Sequence, residues 1–159
     1  MLADQVISWI NQAQTLYNRL VLVVAPAGRG KTRVLRQVHE RSGAPVVNVN
    51  LELSRRMLDL TERLRVLRLP GLLADVLEPC RGGVVLLDNT EMLFDPAFRQ
   101  DPLRLLQNQS RDRTLVVAWS GHVVDGCLTY AAPGHPEYRK YAVRDCLILE
   151  LEQCASGDS

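Results

Sequence analysis

The chain has 159 residues, of which 47% are hydrophobic and 23% are charged, and its formal net charge is +1. This composition excludes a disordered protein and is typical of a globular domain, while the small net charge gives no overall attraction to nucleic acid or membranes. The four cysteines lack the spacing of a zinc site, so we expect reduced thiols. Since no signal peptide and no apolar run of membrane-spanning length is found, we expect a cytoplasmic protein without membrane contact.

The apolar pattern predicts helices and strands that alternate along the chain. An amphipathic helix is predicted within residues 1–19, because Val6, Ile10 and Ala13 recur at helical spacing. The predicted strands are apolar runs at residues 20–24, 45–51, 83–88, 114–119 and 145–151. Further helices are predicted from residue 31, at 54–69 with an end at Pro70-Gly71, at 72–77 and at 102–108. This alternation predicts an α/β fold of three layers around a mostly parallel five-stranded sheet.

These elements predict a single domain over residues 1–152. Within it, residues 121–141 are rich in Gly, Pro, His and Tyr and show no sustained period, so we predict an irregular functional segment with a short helix at 137–141. Residues 153–159 are small and polar, and they predict a frayed tail.

The most informative motif is a phosphate-binding loop between the first predicted strand and the next helix. Residues 25–32 read Ala-Pro-Ala-Gly-Arg-Gly-Lys-Thr. Unpaired N–H groups at the start of the helix, together with the helix dipole, favour phosphate oxygens there, and the glycines let the backbone curl around the anion. Lys31 can reach the β- and γ-phosphates, and the Thr32 hydroxyl can bind Mg²⁺. The predicted nucleotide-binding residues are Ala25, Pro26, Ala27, Gly28, Arg29, Gly30, Lys31, Thr32 and Arg33.

An apolar strand that ends in a carboxylate supplies the second half of the predicted site. Asp88 ends the third predicted strand, where it can hold Mg²⁺ together with Thr32. Many P-loop ATPases have Glu at the next position, but this chain has Asn89. We therefore predict Glu91 as the base that activates water, if the chain turns at once after Asp88. The alternative is that Glu91 merely begins a helix, in which case the protein hydrolyses slowly or only binds.

Three further hypotheses concern polar residues near this site. Ser120 ends the fourth predicted strand and would face the γ-phosphate if that strand lies between the first and third; otherwise it caps a turn. One of Asn48 and Asn50 could hold the catalytic carboxylate until a ligand arrives. An arginine often stabilises the transition state of phosphoryl transfer. The candidates are Arg111, Arg113, Arg139 and Arg144, with Arg139 preferred because it lies in the irregular segment.

The loop at 25–32 resembles the Gly-Pro-Pro-Gly-x-Gly-Lys-Thr loop of AAA+ and related ATPases, which implies a P-loop NTPase core. The Leu-Leu-Asp-Asn-Thr-Glu run at 86–91 and the Pro-Gly-His-Pro-Glu-Tyr-Arg segment at 133–139 are similar to the BrxF family, the small P-loop proteins of type 3 BREX systems, which defend bacteria against phage. The resemblance implies ATP as the nucleotide and other BREX proteins as partners, while Mg²⁺ is expected from Thr32 and Asp88. A homo-oligomer is expected because Ala25 stands where the usual loop begins with Gly and Asn89 replaces the usual Glu, so that a neighbouring subunit would complete the site. The C-terminal helical lid of AAA+ enzymes is not expected here.

Several functions stay open at this point. The leading hypothesis is an Mg²⁺-dependent ATPase, activated by oligomerisation or partners. The alternatives are a nucleotide-gated scaffold with negligible hydrolysis and a small-molecule kinase. Contact with DNA is a weaker hypothesis, since acidic residues alternate with the arginines that would carry it and favour a salt-bridged surface. Those arginines are Arg55, Arg56, Arg63, Arg65 and Arg68.

Overall fold

A computed structural model describes residues 2–26, 30–80, 82–130, 139–142 and 146–151. The α-helices in these ranges are α1 (Leu2–Ala13), α2 (Lys31–Ser42), α3 (Val49–Met57), α4 (Glu62–Leu77) and α5 (Pro102–Gln109). The strands are β1 (Leu20–Ala25), β2 (Val46–Asn48), β3 (Val84–Asp88), β4 (Thr114–Val124), β5 (Cys127–Tyr130), β6 (Arg139–Ala142) and β7 (Leu147–Glu150). Short 3-10 helices lie at Glu78–Cys80, Glu91–Phe94 and Pro96–Phe98.

Five parallel strands form the body of the sheet in the order β2-β3-β4-β1-β7. This arrangement confirms the predicted α/β class and the mostly parallel five-stranded core. The fourth strand lies between the first and third, which was the condition for Ser120 to lie at the candidate site. In the β1–β4 register Ala25 lies opposite Ser120, and in the β2–β3 register Asn48 lies opposite Asp88. The carboxyl ends of these strands therefore meet at one edge, where ligands bind in open α/β sheets.

Two apolar cores lie on opposite faces of the parallel strands. On β4, Leu115, Val117 and Trp119 belong to the core that includes residues of α3, α4 and α5, whereas Val116 and Ala118 belong to the core that includes residues of α1 and α2. Successive residues of a strand point to opposite faces, so an unbroken apolar run is what a strand covered on both sides requires. The three-layer arrangement is thus confirmed.

The prediction of an irregular segment over residues 121–141 is wrong for the part that is described. β4 continues to Val124, and β5 and β6 pair antiparallel beyond it, so the described residues contribute seven strands to the sheet. Asp125 and Gly126 join β4 to β5 with φ values of 52° and 76°, as the two central positions of a type I′ hairpin turn require. The short helix predicted over 137–141 is wrong at residues 139–141, which belong to β6; residues 131–138 lie outside the described residues.

The helix predicted over residues 54–69 is wrong at both ends: residues 54–57 belong to α3, and α4 begins at Glu62 and continues through Pro70 and Gly71 to Leu77. Proline lacks the N–H that would bond one turn back, so this continuation loses a hydrogen bond. Leu69, Leu73 and Leu77 are fully buried on one side of α4, and the burial of their side chains offsets that loss. Here tertiary packing overrides a local helix-stop signal.

Three other predicted boundaries shift. The first helix, predicted within residues 1–19, ends at Ala13 in the described chain. The second strand is shorter than the predicted 45–51, because Asn48 caps α3: its side chain accepts a hydrogen bond from the N–H of Leu51 at 3.0 Å. The fifth parallel strand covers Leu147–Glu150, within the predicted 145–151.

Candidate nucleotide-binding and catalytic site

The described part of the predicted phosphate-binding loop lies between β1 and α2, at the carboxyl edge of the sheet. Ala25 is the last residue of β1, and Gly30 directly precedes α2 with a φ of 91°. This backbone conformation strains any residue with a Cβ atom, which explains glycine at position 30. Residues 27–29 lie outside the described residues. The flanking strand and helix are the structural context that the motif requires.

Lys31, the first residue of α2, directs its side chain back across the loop. Its Nζ atom donates hydrogen bonds to the carbonyl oxygens of Ala25 at 3.1 Å and Pro26 at 2.9 Å. Burial lowers the pKa of Lys31, and the nearby carboxylates of Glu91 and Asp88 oppose that lowering. The ammonium group is therefore held beside the loop within the electrostatic reach of both acidic residues.

Thr32 and Asp88 are in direct contact across the interface between α2 and the sheet. The Thr32 hydroxyl donates to Oδ2 of Asp88 at 2.8 Å, and Oδ1 accepts the N–H of Asn89 at 3.0 Å. Asp88 is the last residue of β3 and is 8% exposed. Hydroxyl and carboxylate oxygens are ligands that Mg²⁺ prefers, and this ion commonly takes only one or two from protein beside phosphate and water. The pair therefore fits an Mg²⁺ site of that kind.

A sharp turn after β3 brings Glu91 back towards the site. Asn89 has a φ of 52°, in the left-handed region that asparagine tolerates better than most residues. Its carbonyl oxygen accepts the N–H of Asn50 at 2.9 Å. The buried Thr90 donates its hydroxyl to the carbonyl oxygen of Ala118 on β4 at 3.0 Å. The chain thus turns at once after Asp88, which is the condition for Glu91 to reach the site.

The Glu91 carboxylate lies between two polar side chains from neighbouring elements. Its Oε1 accepts from Nδ2 of Asn50 at 3.2 Å, and its Oε2 accepts from the Ser120 hydroxyl at 3.3 Å. Asn50 is itself oriented, because its Oδ1 accepts the N–H of Met92 at 2.8 Å. Of the two candidate asparagines, Asn50 holds the carboxylate and Asn48 caps a helix. Glu91 also begins the 3-10 helix Glu91–Phe94, the position that the alternative interpretation gave it.

The structure brings together most of the predicted catalytic and metal-binding residues. They are Lys31, Thr32, Asp88, Glu91 and Ser120. Two neighbours were missed at the sequence level. Asn89 was treated only as a missing glutamate, although asparagine is a signal for a positive φ. Thr90 attaches the turn to β4, and nothing in its sequence context indicates that long-range contact.

The candidate arginines do not join this group in the part of the chain that the structure describes. Arg139 lies on β6, opposite Tyr130, which in turn lies opposite Gly121 on β4. Two strand spacings separate the backbones of Gly121 and Arg139, about 10 Å, and no hydrogen bond or ion pair between described residues connects Arg139 to Glu91.

The remaining arginines have other surroundings. Arg113 is 2% exposed and donates to the backbone and side-chain oxygens of Gln109, while the Arg111 guanidinium lies 4.9 Å from the Tyr17 ring centroid. Arg33 is exposed on α2, and Arg144 lies outside the described residues.

Comparisons with known proteins identify no family. No protein-family model matches the chain, and no curated protein matches it. Among solved structures, the chain is similar to C. elegans PCH-2, with 17% sequence identity and a TM-score of 0.40. The likeness covers 73% of this chain and 36% of the PCH-2 chain, so this chain spans about a third of that protein's length. The resemblance to the BrxF family stays a prediction.

None of the helices in the described ranges combines the length and the apolar character needed to cross a membrane.

Proposed function

We propose that the chain binds ATP with Mg²⁺ and hydrolyses it, and that it acts as an assembly or regulatory component of a bacterial anti-phage complex of the BREX type. The observation that carries the hydrolase proposal is the position of Glu91. Its carboxylate lies beside Ser120 and Asn50 and within electrostatic reach of Lys31, at the edge of the sheet where the phosphate-binding loop begins. The complex is proposed from the resemblance to BrxF alone.

Each residue has a distinct role in this proposal. The N–H groups at the start of α2 and the Lys31 ammonium bind the phosphates. Thr32 and Asp88 would hold Mg²⁺, which supplies positive charge to the phosphate oxygens when it is bound. Glu91 orients the attacking water and accepts its proton, and the Ser120 hydroxyl donates to the water or to the γ-phosphate.

The contact between Asn50 and Glu91 restrains the orientation of the Glu91 carboxylate. Each carboxylate oxygen accepts one hydrogen bond from a side chain, and the bond from Asn50 opposes rotation of the carboxylate towards a water beside the γ-phosphate. We infer that ligand binding or assembly releases the carboxylate from Asn50. Hydrolysis by the isolated chain should then be slow.

The same contact favours a second candidate, a scaffold that binds ATP and turns over a negligible amount of it. In that case Asn50 and Ser120 hold Glu91 permanently, and the bound nucleotide changes only the surface presented to partners.

Phosphate release from ATP separates the two candidates. The hydrolase releases phosphate with Mg²⁺ and loses this activity with excess EDTA, and the rate rises with protein concentration if assembly releases Glu91. Asp88→Asn should lower the Mg²⁺-dependent rate by at least about tenfold, because it removes a charged ligand. The control is Asp95→Asn, which should leave the rate unchanged. The Asp95 side chain lies away from this site and accepts a hydrogen bond from the N–H of Ala97. A scaffold releases no phosphate at any protein concentration while still binding ATP.

A further inference from the structure

A cavity of about 680 Å³ lies where β6 meets the start of α5. It is lined on one side by Arg99, Gln100 and Asp101, and on the other by Arg139, Lys140 and Tyr141. Three of these residues are basic and one is acidic, in a chain whose net charge is only +1. Such local enrichment of positive charge in a concave site favours an anionic ligand.

The acidic residue in this cavity already has a structural partner. Asp101 caps α5, because its Oδ1 accepts the N–H of Arg104 at 3.2 Å. The ion pairs found between described residues involve Arg41, Arg55 and Arg56, and none involves the three basic residues of the cavity. The Nε atom of Arg139 is buried, and within the described ranges it has no hydrogen-bond partner. A buried guanidinium nitrogen without a partner is costly unless a ligand accepts from it.

The wall formed by β6 is supported from beneath by aromatic packing. The Phe94 and Tyr130 rings stack with centroids 3.7 Å apart, and the Trp119 and Tyr141 centroids lie 5.9 Å apart, edge to face. The Trp119 indole also donates to the carbonyl oxygen of Thr129 at 2.9 Å. The β5–β6 ladder and this cluster fix the backbone on which Arg139 and Lys140 stand, so the basic wall is preorganised rather than formed by a loop.

A second cavity adjoins the first, and its charged lining consists of three arginines and two carboxylates: Arg63, Arg65, Arg99, Glu62 and Asp95. Arg99 also lines this cavity, which has a volume of about 630 Å³ and reaches Arg63 and Leu67 on α4 and Phe98 before α5. Leu67 is 67% exposed. A ligand that spans both cavities through Arg99 would meet basic side chains in series and the apolar side chains of Leu67 and Phe98 beside them, a lining that phosphates in series with planar apolar groups would match. A single-stranded polynucleotide has this chemistry, since its bases pack on aromatic and apolar side chains while basic residues follow its backbone.

We propose that Arg99, Arg139 and Lys140 form a binding site for the phosphates of a single-stranded polynucleotide, separate from the ATP site. This site differs from the arginine-rich surface that the sequence offers for contact with DNA. Arg55 and Arg56 pair with Glu52 on α3, so those two arginines form the salt-bridged surface that was the alternative. The new site combines residues of β6 with the residue that precedes α5, and only the folded chain brings them together.

Fluorescence anisotropy with a labelled 20-nucleotide single strand that carries a 5′-hydroxyl tests the proposal on the full chain. Each lost phosphate contact removes about fivefold in affinity at 0.1 M salt and lowers the slope of log affinity against log salt by about 0.7. Arg99→Gln with Arg139→Gln should therefore weaken binding about 25-fold and lower the slope by about 1.4. Lys140→Gln should weaken it about fivefold, and because Lys140 is exposed, this variant is expected to fold normally.

The control is Arg36→Gln, which removes the same charge from an exposed position on α2. It should change the affinity less than twofold. The proposal is overturned if Arg36→Gln weakens binding as much as Lys140→Gln, or if the double variant binds like the unchanged chain. Competition by polyglutamate at equal charge concentration, or equal affinity for duplex DNA, would overturn the assignment to a single-stranded polynucleotide.

The effect of ATP on oligonucleotide binding distinguishes this site from the phosphate-binding loop at Lys31. Saturating ATP with Mg²⁺ should leave the affinity for the oligonucleotide unchanged, and so should Lys31→Ala. If either displaces or abolishes the bound strand, the strand occupies the phosphate-binding loop and the separate site does not exist. Loss of ATP binding in Lys31→Ala with intact oligonucleotide binding supports both sites independently.

Discussion

The parallel part of the sheet and its antiparallel extension place polar side chains in different ways. In the parallel part, three strands carry a polar residue at the carboxyl end of their parallel pairing: Asn48 on β2, Asp88 on β3 and Ser120 on β4. The register aligns these ends, since Asp88 lies opposite Asn48 and Ser120 lies opposite Ala25 at the end of β1. In the extension of β4–β5–β6, basic residues stand on the last strand and face a cavity formed with the start of α5. The carboxyl edge of the parallel strands brings residues that are distant in sequence to one point, whereas the extension of β4–β5–β6 presents its basic residues along a surface.

β4 belongs to both regions, and the change occurs immediately after Ser120. Up to that residue the strand pairs in parallel with β1, and from Gly121 onwards it pairs antiparallel with β5. Glu91 contacts the strand at Ser120, and Phe94, three residues later, stacks on Tyr130 of β5. The 3-10 helix Glu91–Phe94 therefore connects the candidate catalytic carboxylate to the extension.

The largest expected effect is on ATP binding, and it should differ between a lysine of the parallel region and a lysine of the extension. Lys31→Ala should weaken ATP binding by about 100-fold or more, because hydrogen bonds to charged groups contribute about 1.5–3 kcal/mol each and Lys31 serves two phosphates. Lys140→Ala is the matched control, since Lys31 and Lys140 are the two lysines of the chain. It should leave ATP affinity unchanged. Binding of a fluorescent ATP analogue measures both, and equal losses would contradict the assignment of ATP to the parallel region.

The junction itself should be intolerant of added volume. A Cβ atom at Gly121 would overlap the carbonyl oxygen of Thr129 and lie 3.1 Å from Nε1 of Trp119. Gly121→Ala should lower the free energy of unfolding by about 3 kcal/mol, the cost of overpacking a tight core. Gly71→Ala on α4 meets no atom within 4 Å and should raise it by about 0.5–1 kcal/mol. Urea denaturation measures both changes, and a tolerated Gly121→Ala would mean that the two regions are not tightly joined.

A smaller effect is expected where Asn50 holds Glu91. Asn50→Ala should raise the basal rate of phosphate release by up to about tenfold. The hydrogen bond from Asn50 to the Glu91 carboxylate restrains Glu91, and a bond of this kind contributes about 1.5 kcal/mol. Asn48→Ala is the control: it removes the cap of α3, costs about 1 kcal/mol of stability and leaves the rate unchanged. A fall in the rate of Asn50→Ala would show that Asn50 orients Glu91 for catalysis rather than restraining it.

The smallest expected effect is a pH dependence of stability. Burial lowers the pKa of Lys31 in the folded chain below its ordinary value of 10.5. At pH values between the lowered pKa of the folded chain and the pKa of 10.5 of the unfolded chain, Lys31 binds more protons in the unfolded chain than in the folded one. The contribution of Lys31 to the free energy of unfolding therefore rises with pH up to about 10.5. The unchanged chain should therefore become more stable relative to Lys31→Met as pH increases over this interval. Thermal melting measures the difference, with Lys140→Met as the control for charge removal; an opposite trend would contradict the burial of Lys31.

Much of the parallel region could be predicted from the sequence, because its signals are local. Apolar runs that end in Asp88 or Ser120 indicate buried strands, and the glycine-rich loop before Lys31 indicates the strand–loop–helix unit. The approach of Glu91 to Ser120 depends on a positive φ at Asn89 and on a hydroxyl contact to β4, which are tertiary outcomes. The sequence therefore indicated the residues of the candidate site, and the fold supplied the contacts among them.

The extension was harder to predict because its strands are short and its composition is mixed. Asp125-Gly126, flanked by Val124 and Cys127, was nevertheless a usable hairpin signal. The helix through Pro70 was unpredictable for another reason: burial of leucines on α4 outweighs the missing N–H, and that packing depends on residues far along the chain. The pairing of Arg139 with a cavity beside Arg99 likewise requires the folded ladder.

The central claim is that Glu91, at the carboxyl edge of the parallel strands, is the base for ATP hydrolysis. Phosphate release by Glu91→Gln tests this claim most directly. This variant keeps the hydrogen-bonding shape of the side chain but removes the group that accepts a proton. We predict unchanged binding of ATP with Mg²⁺ and a loss of phosphate release of at least about 100-fold, in the range of general base catalysis. Glu62→Gln on α4 should release phosphate at the unchanged rate. Hydrolysis by Glu91→Gln at that same rate would contradict the claim.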